Sequence, residues 1–210
     1  MVPAPNPAPV DAPRNVTGRA EERSGPFGLD EAETELLARV CAEVAEPLGI
    51  DGAGLVDGLR RGQTLGAALR LPASLAEALY ARAHTWFSAG RHERAEDLFR
   101  ALCVLDGGGG DYWVGYGVCL RLRGASREAG LAFATAAALR PDWAVAHFHA
   151  AGLAMAVENW ELGTEHLRAF ERCDGPDTPP DMRQEAARLQ LAAAQHAARG
   201  RSSPGVGVPR

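Results

Sequence analysis

The residues most able to do chemistry in this chain are its histidines, its cysteines and one run of glycines. His147 and His149 have the H-x-H look of a metal pair. On a helix, side chains two residues apart diverge by about 200°, so these two cannot grip one ion. His166 would have to approach one of them from the next helix. A zinc site takes about four ligands, commonly Cys or carboxylate at short spacing. Nothing of that kind surrounds the histidines, so neither a metal nor a cofactor is expected. Cys41, Cys103, Cys119 and Cys173 are scattered without a C-x-x-C, which reads as reduced core thiols of a cytosolic protein. The run Gly107–Gly110 follows Ala101–Leu105 as a phosphate loop follows a strand, but no Lys-Ser/Thr comes after it and no G-x-G-x-x-G threads through it. There is no G-x-S-x-G elbow, and Glu93, Glu96 and Asp97 fall on an outward helix face. Catalysis is not expected.

What remains is binding, and the elements that would support it repeat. Ala83, Gly117 and Ala151 stand 34 residues apart, as do Gly90, Gly124 and Glu158. The same spacing links Ala95, Ala129 and Gly163, then Phe99, Phe133 and Leu167, then Leu102, Ala136 and Phe170, and finally Gly107, Pro141 and Gly175. Small residues recur where two helices must touch, large apolar ones where the pair needs filling, and breakers where each unit ends. A 34-residue period in this order is the tetratricopeptide (TPR) signature. The expected fold is all-α: three TPR helical hairpins in a right-handed solenoid, at 76–109, 110–143 and 144–177. In such a solenoid the first helix of each hairpin lines a concave groove through its second, fifth, ninth and twelfth positions. Those positions hold Glu77, Tyr80, His84 and Phe87, then Asp111, Val114, Val118 and Arg121, then Val145, Phe148, Gly152 and Met155. The groove so drawn is apolar with aromatic anchors, which suits an extended apolar peptide. Tyr80 and Phe87 would alternatively fill an interface with the helices before the repeats.

Residues 1–29 hold six of the fourteen prolines and, like 199–210, read as a tail without structure. The span 30–75 reads as an N-terminal helical region. Asp30 is a plausible N-cap with Glu33 three residues on, and Leu36, Leu37, Val40, Cys41, Val44 and Leu48 form an apolar stripe. That stripe needs a partner, either the first repeat or a second subunit; Leu36, Leu37, Val40 and Val44 are the candidate dimerisation residues. A broken helix at 53–70 leads into the array. Pro179-Pro180 opens a last helix within 178–198, where Met182, Ala186, Leu189 and Ala193 face one way, as a cap on the last repeat would. All 22 basic residues are arginine, and 30–198 carries 16 of them against 24 acids, a net of −8. This balance argues against nucleic acid and against a polybasic membrane anchor. No secretory signal is read at the start. The longest nearly apolar stretch, Ala144 to Val157, is broken by two histidines and is shorter than the ~20 residues of a membrane span.

One stretch is more specific than a generic repeat. Leu79-Tyr80-Ala-Arg-Ala83 followed by Gly90-x-x-x-x-Ala95-x-x-x-Phe99-x-x-Leu102-Cys103-x-Leu105-Asp106 resembles the class II chaperones of bacterial type III secretion, the low-calcium-response protein H kind. Tyr112-Trp-Val-Gly115-Tyr-Gly117-Val-Cys119, Phe148-His149-Ala150-Ala151 and the lead-in Gly62-Gln-Thr64-Leu-Gly66 match it too, so the resemblance covers about 55–175. It implies a bacterial cytoplasmic chaperone, homodimeric through its N-terminal region when free of client. The implied clients are one or two hydrophobic translocators, each offering an extended N-terminal segment with a P-x-L-x-x-P-like motif to the concave groove. Tyr80, His84 and Phe87 match the groove positions of the first repeat. The other reading, from the period alone, is a TPR scaffold or regulator with no secretion client.

Overall fold

The computed structural model describes residues 29–201, and every regular element among them is helical. The tail expected at 1–29 falls almost entirely outside the described residues, as does 202–210. The described chain forms two compact units divided at Gln63–Thr64. This moves one boundary: the lead-in from Thr64 belongs with the repeats and not with the N-terminal helices. The reason is local packing, since an added Cβ at Gly66 would stand 3.2 Å from the Leu105 carbonyl.

The first unit holds α1 (Glu31–Ala45) and α2 (Gly52–Arg60), joined by a 3-10 turn at Glu46–Leu48. Asp30 and Glu33 close a reciprocal capping box: Asp30 Oδ1 accepts the Glu33 N–H at 2.8 Å and Glu33 Oε2 accepts the Asp30 N–H at 3.0 Å. α1 and α2 pack as a hairpin so tight that a Cβ at Gly52 would stand 2.1 Å from the Cys41 carbonyl oxygen. The single stripe read on α1 therefore splits in two. Leu37 and Cys41 are half-buried, whereas Leu36, Val40 and Val44 are 55%, 49% and 67% exposed. Leu37 is thus corrected out of the outward-facing set, because positions 37 and 41 share a different side of the helix from 36, 40 and 44.

The second unit begins with the short α3 (Leu65–Ala68) and continues as three helical hairpins, with the period visible in every one. They are α4 (Ala73–Ser88) with α5 (His92–Leu105), α6 (Gly110–Leu122) with α7 (Ser126–Leu139), and α8 (Ala144–Ala156) with α9 (Trp160–Cys173). Ala83, Ala95, Ala129 and Ala151 are fully buried at the helix crossings, and Phe99, Phe133, Leu167, Leu102, Ala136 and Phe170 fill the space between. Gly117 and Gly163 take the small-residue place where a ring or sulfur comes closest: a Cβ there would stand 2.6 Å from the Phe133 ring and 2.6 Å from Met155 Cγ. α10 (Pro180–Arg201) lies across the last hairpin and buries Ala186, with Met182, Leu189 and Ala193 against α8 and α9. It extends past residue 198, where the tail was expected to start. Arg183 ties its first turn to Asp174 through bonds of 2.8 and 3.0 Å, and His196 stacks on Trp160 at 4.4 Å.

Each hairpin turns through one left-handed residue at the same repeat position: Gly90 (φ 72°), Gly124 (φ 83°) and Glu158 (φ 62°). Glycine adopts this conformation freely, whereas a side chain there costs roughly 1–2 kcal/mol. Glu158→Gly should therefore stabilise the protein, by about 0.5–1 kcal/mol once the looser unfolded chain is counted. Thermal unfolding checks it; a lowered melting temperature would show that the glutamate side chain holds the turn.

Candidate peptide-binding groove

The first helices of the hairpins, α4, α6 and α8, carry the groove positions. A cavity of about 270 Å³ opens where they meet. Tyr80, His84 and Phe87 line it from α4, Val114 and Val118 from α6, and Val145 from α8. Its floor is Phe99, reached only because Gly115 has no side chain: a Cβ at Gly115 would stand 2.4 Å from that ring. The walls hold one another edge to face. Tyr80 meets His84 at 4.5 Å and 71°, His84 meets Phe99 at 5.4 Å and 88°, and Phe87 meets His92 at 5.0 Å. Edge-to-face pairs of this kind fix ring orientation as well as adding attraction. Burial, and then the nearby Asp111 charge, hold the Tyr80 phenol above its usual range. The cavity's sides are thus rigid, mostly apolar and open to solvent.

The sequence reading missed one wall, Trp143. It stands in the turn before α8, outside the helix positions that the repeat rule inspects. Arg140 lies over its ring at 4.0 Å and donates through Nη1 to Asp111 Oδ2 at 3.1 Å, linking the second and third hairpins at the rim. A tryptophan at a repeat boundary, beside an arginine three residues earlier, was the available signal.

Three of the residues assigned to the groove lie elsewhere. Arg121 is exposed near the end of α6, away from this cavity. Phe148 is half-buried, 6.1 Å from Phe170 and packed in the cluster that α10 completes. Met155 is 6% exposed inside the same cluster and fills the notch of Gly163. The cause is α10, which covers the third hairpin and turns its outer positions into core. Gly152 shows the same covering, with Leu189 Cδ1 3.9 Å from where its Cβ would be.

The histidines of the third hairpin are packed among other rings. His149 stacks on Phe133 at 5.3 Å and 15°, and burial, followed by the Arg121 charge, lowers it to about 4. His166 does approach His147: their Nδ1 atoms are 3.1 Å apart, while His147 Nε2 lies 3.0 Å from the Pro141 carbonyl. A carbonyl only accepts, so His147 donates from Nε2 to Pro141. Among the described residues no group of three or more His, Cys, Asp or Glu is placed to hold a metal ion. All four cysteines are free thiols, and burial pushes Cys103 up to about 12 and Cys119 to about 11. Gly107 lies in the turn between hairpins, where its carbonyl accepts from Trp113 Nε1 at 2.9 Å. Another cavity, about 580 Å³, sits at the turn of the first hairpin, where Arg123 holds Glu96 through two bonds of 3.0 Å. Among the described residues no helix is long and apolar enough to cross a membrane.

No protein-family model and no curated protein matches the sequence. Solved structures do. The type III secretion chaperone SycD of Yersinia enterocolitica, in complex with a peptide of the translocator YopD, superimposes with a TM-score of 0.55 at 21% identity, over 62% of this chain and 98% of that one. A T3SS complex from Aeromonas hydrophila gives 0.60 at 23% identity, over 70% and 97%. PcrH of Pseudomonas aeruginosa, in complex with the chaperone binding region of PopD, gives 0.54 at 24% identity, over 62% and 96%. The Sgt2 TPR domain of Aspergillus fumigatus gives 0.55 at 14% identity, over 66% and 91%. At these identities the likeness is one of fold: this chain is an all-α protein built on a TPR-like solenoid.

Proposed function

We propose that this chain is a carrier for an extended apolar peptide, and specifically a bacterial cytoplasmic chaperone that keeps type III secretion translocators soluble before export. The observation that carries the reading is the cavity floored by Phe99. Residues from three consecutive hairpins converge there, mostly apolar and open to solvent, with His84 and Asp111 as the ionisable members of the lining. Such a lining suits the side chains of an extended apolar peptide. The chaperones of the same fold seen with translocator peptides lend support. Co-expression of the full chain with candidate translocators, followed by pulldown, tests it. The wild type should bring a translocator into the soluble fraction, and Val118→Asp, which sets a charge in the cavity wall, should not. A translocator that stays insoluble beside the wild type would overturn the proposal. The fungal TPR domain of similar fold favours a second reading, an adaptor that joins folded proteins; a partner captured folded would support that one instead.

Self-association belongs to the same proposal. Leu36, Val40 and Val44 line up on the exposed side of α1, and burying such a row against a second copy is favourable at about 25 cal/mol per Å². Val40→Glu with Val44→Glu should convert a client-free dimer into a monomer in sedimentation. A wild type already monomeric at tens of micromolar, a weak-interface range, would remove the dimer from the proposal.

A further inference from the structure

A second cavity lies beside the groove, next to Tyr80, and its lining bears on which peptides the groove selects. Tyr80 lines the first cavity and Tyr112 the second, and their rings are 5.5 Å apart. The second is a space of about 400 Å³ with Leu71, Leu75, Leu105 and the Tyr112 ring as its apolar surfaces, and Glu77 and Asp106 at its edge. Asp106 spends one oxygen on the Gly108 N–H, at 3.2 Å. Among the described residues neither Glu77 nor Asp106 is ion-paired, and the chain has no lysine to offer. Asp111, the third carboxylate nearby, already holds Arg140. Burial and the charges of Asp106, Asp111 and Glu77 together hold the Tyr112 phenol above its usual range, in keeping with an anionic field at this ring.

Apolar walls below an anionic edge match the two ends of one kind of side chain. Lysine and arginine lay their methylenes along apolar surface and keep the charged head outside, and a tyrosine face attracts that head as well. We infer that the segment bound in the groove carries a lysine or arginine close to its main apolar anchor. The anchor enters the cavity floored by Phe99, and the cationic side chain enters the Tyr112 cavity with its head between Glu77 and Asp106. Extended chain advances about 3.3 Å per residue and alternates its faces, so two side chains entering neighbouring cavities stand two residues apart. This inference rests on the groove reading above and adds to it the charge and spacing of the partner.

Three fluorescein-labelled peptides test it on the full chain by anisotropy at low salt. Each has leucines at alternate positions except one, two residues from the central leucine, which holds lysine, norleucine or glutamate. Lysine should bind about five- to tenfold tighter than norleucine, the range two partly exposed ion pairs allow. Glutamate should bind more weakly than norleucine, and the spread should narrow as salt is added. Glu77→Gln with Asp106→Asn should bring all three peptides to the norleucine affinity. If norleucine equals lysine on the wild type, the cation subsite is wrong and the groove stands. If the double variant also loses the norleucine peptide, the carboxylates support the wall, and the inference is overturned. If no peptide binds, the groove reading itself fails and this inference with it.

Discussion

Replacing Tyr80 and Phe87 together by alanine is expected to weaken a bound translocator segment by roughly a thousandfold or more, while the protein still folds. The two residues lie seven apart on α4, about 10 Å along the helix, and both line the cavity over Phe99. Aromatic anchors in a desolvated pocket typically cost about 2–4 kcal/mol each when truncated, and paired losses fall short of additive. Folding should survive because both rings are only half-buried in the free chain and stand outside the fully buried set that holds the hairpins together. Calorimetry with the co-purified segment, beside thermal unfolding of the same variant, separates the outcomes. Retained affinity would falsify the groove assignment, and a collapsed melting transition would make these rings core.

The second large effect concerns stability alone. Phe133→Ala should destabilise the protein by about 3–5 kcal/mol, because a fully buried ring leaves a cavity that its neighbours cannot close. Phe133 has no exposed surface and sits amid Leu120, Ala129, Ala132, Ala150 and Leu153. Gly117 abuts one side of it and His149 stacks at 5.3 Å on another. Since repeat arrays draw stability from neighbouring units, damage in the middle hairpin reaches both outer ones. The melting temperature should fall by about 6–20 °C. Leu131→Ala on the same helix, where the side chain is exposed, should change stability by no more than about 0.5 kcal/mol. Equal effects from the two substitutions would contradict the packing described here.

The period made the core of the repeats legible from sequence because small and large residues must alternate wherever two helices cross. Ala83, Gly117 and Ala151 occupy that crossing in all three hairpins. Of the positions assigned to the groove in the first two hairpins, Tyr80, His84, Phe87, Val114 and Val118 line one cavity, whereas Arg121 does not. In the third, Val145 lines the same cavity but Phe148 and Met155 do not, because the rule assumes that each first helix faces open space and α10 removes that space from them. Trp143 escaped because a turn residue has no helical register by which to be found. On α1, apolar residues at 36, 37, 40, 41 and 44 looked like one stripe; only the tight passage of α2 past Cys41 tells the inner pair from the outer row.

Phe99 gives the groove and the core a common member. Its ring is 1% exposed and packs with Ala83, Ala95, Leu102 and Cys119, yet its edge is what an incoming side chain meets. Binding and folding of the first hairpin therefore draw on the same atoms. A segment that fills the cavity supplies contacts which the empty protein lacks, and ligand that binds only the folded state raises its stability by RT ln(1 + [L]/Kd). On the proposed function, a client filling the cavity would thereby tighten the hairpins that line it, the first through the ring it shares with the core.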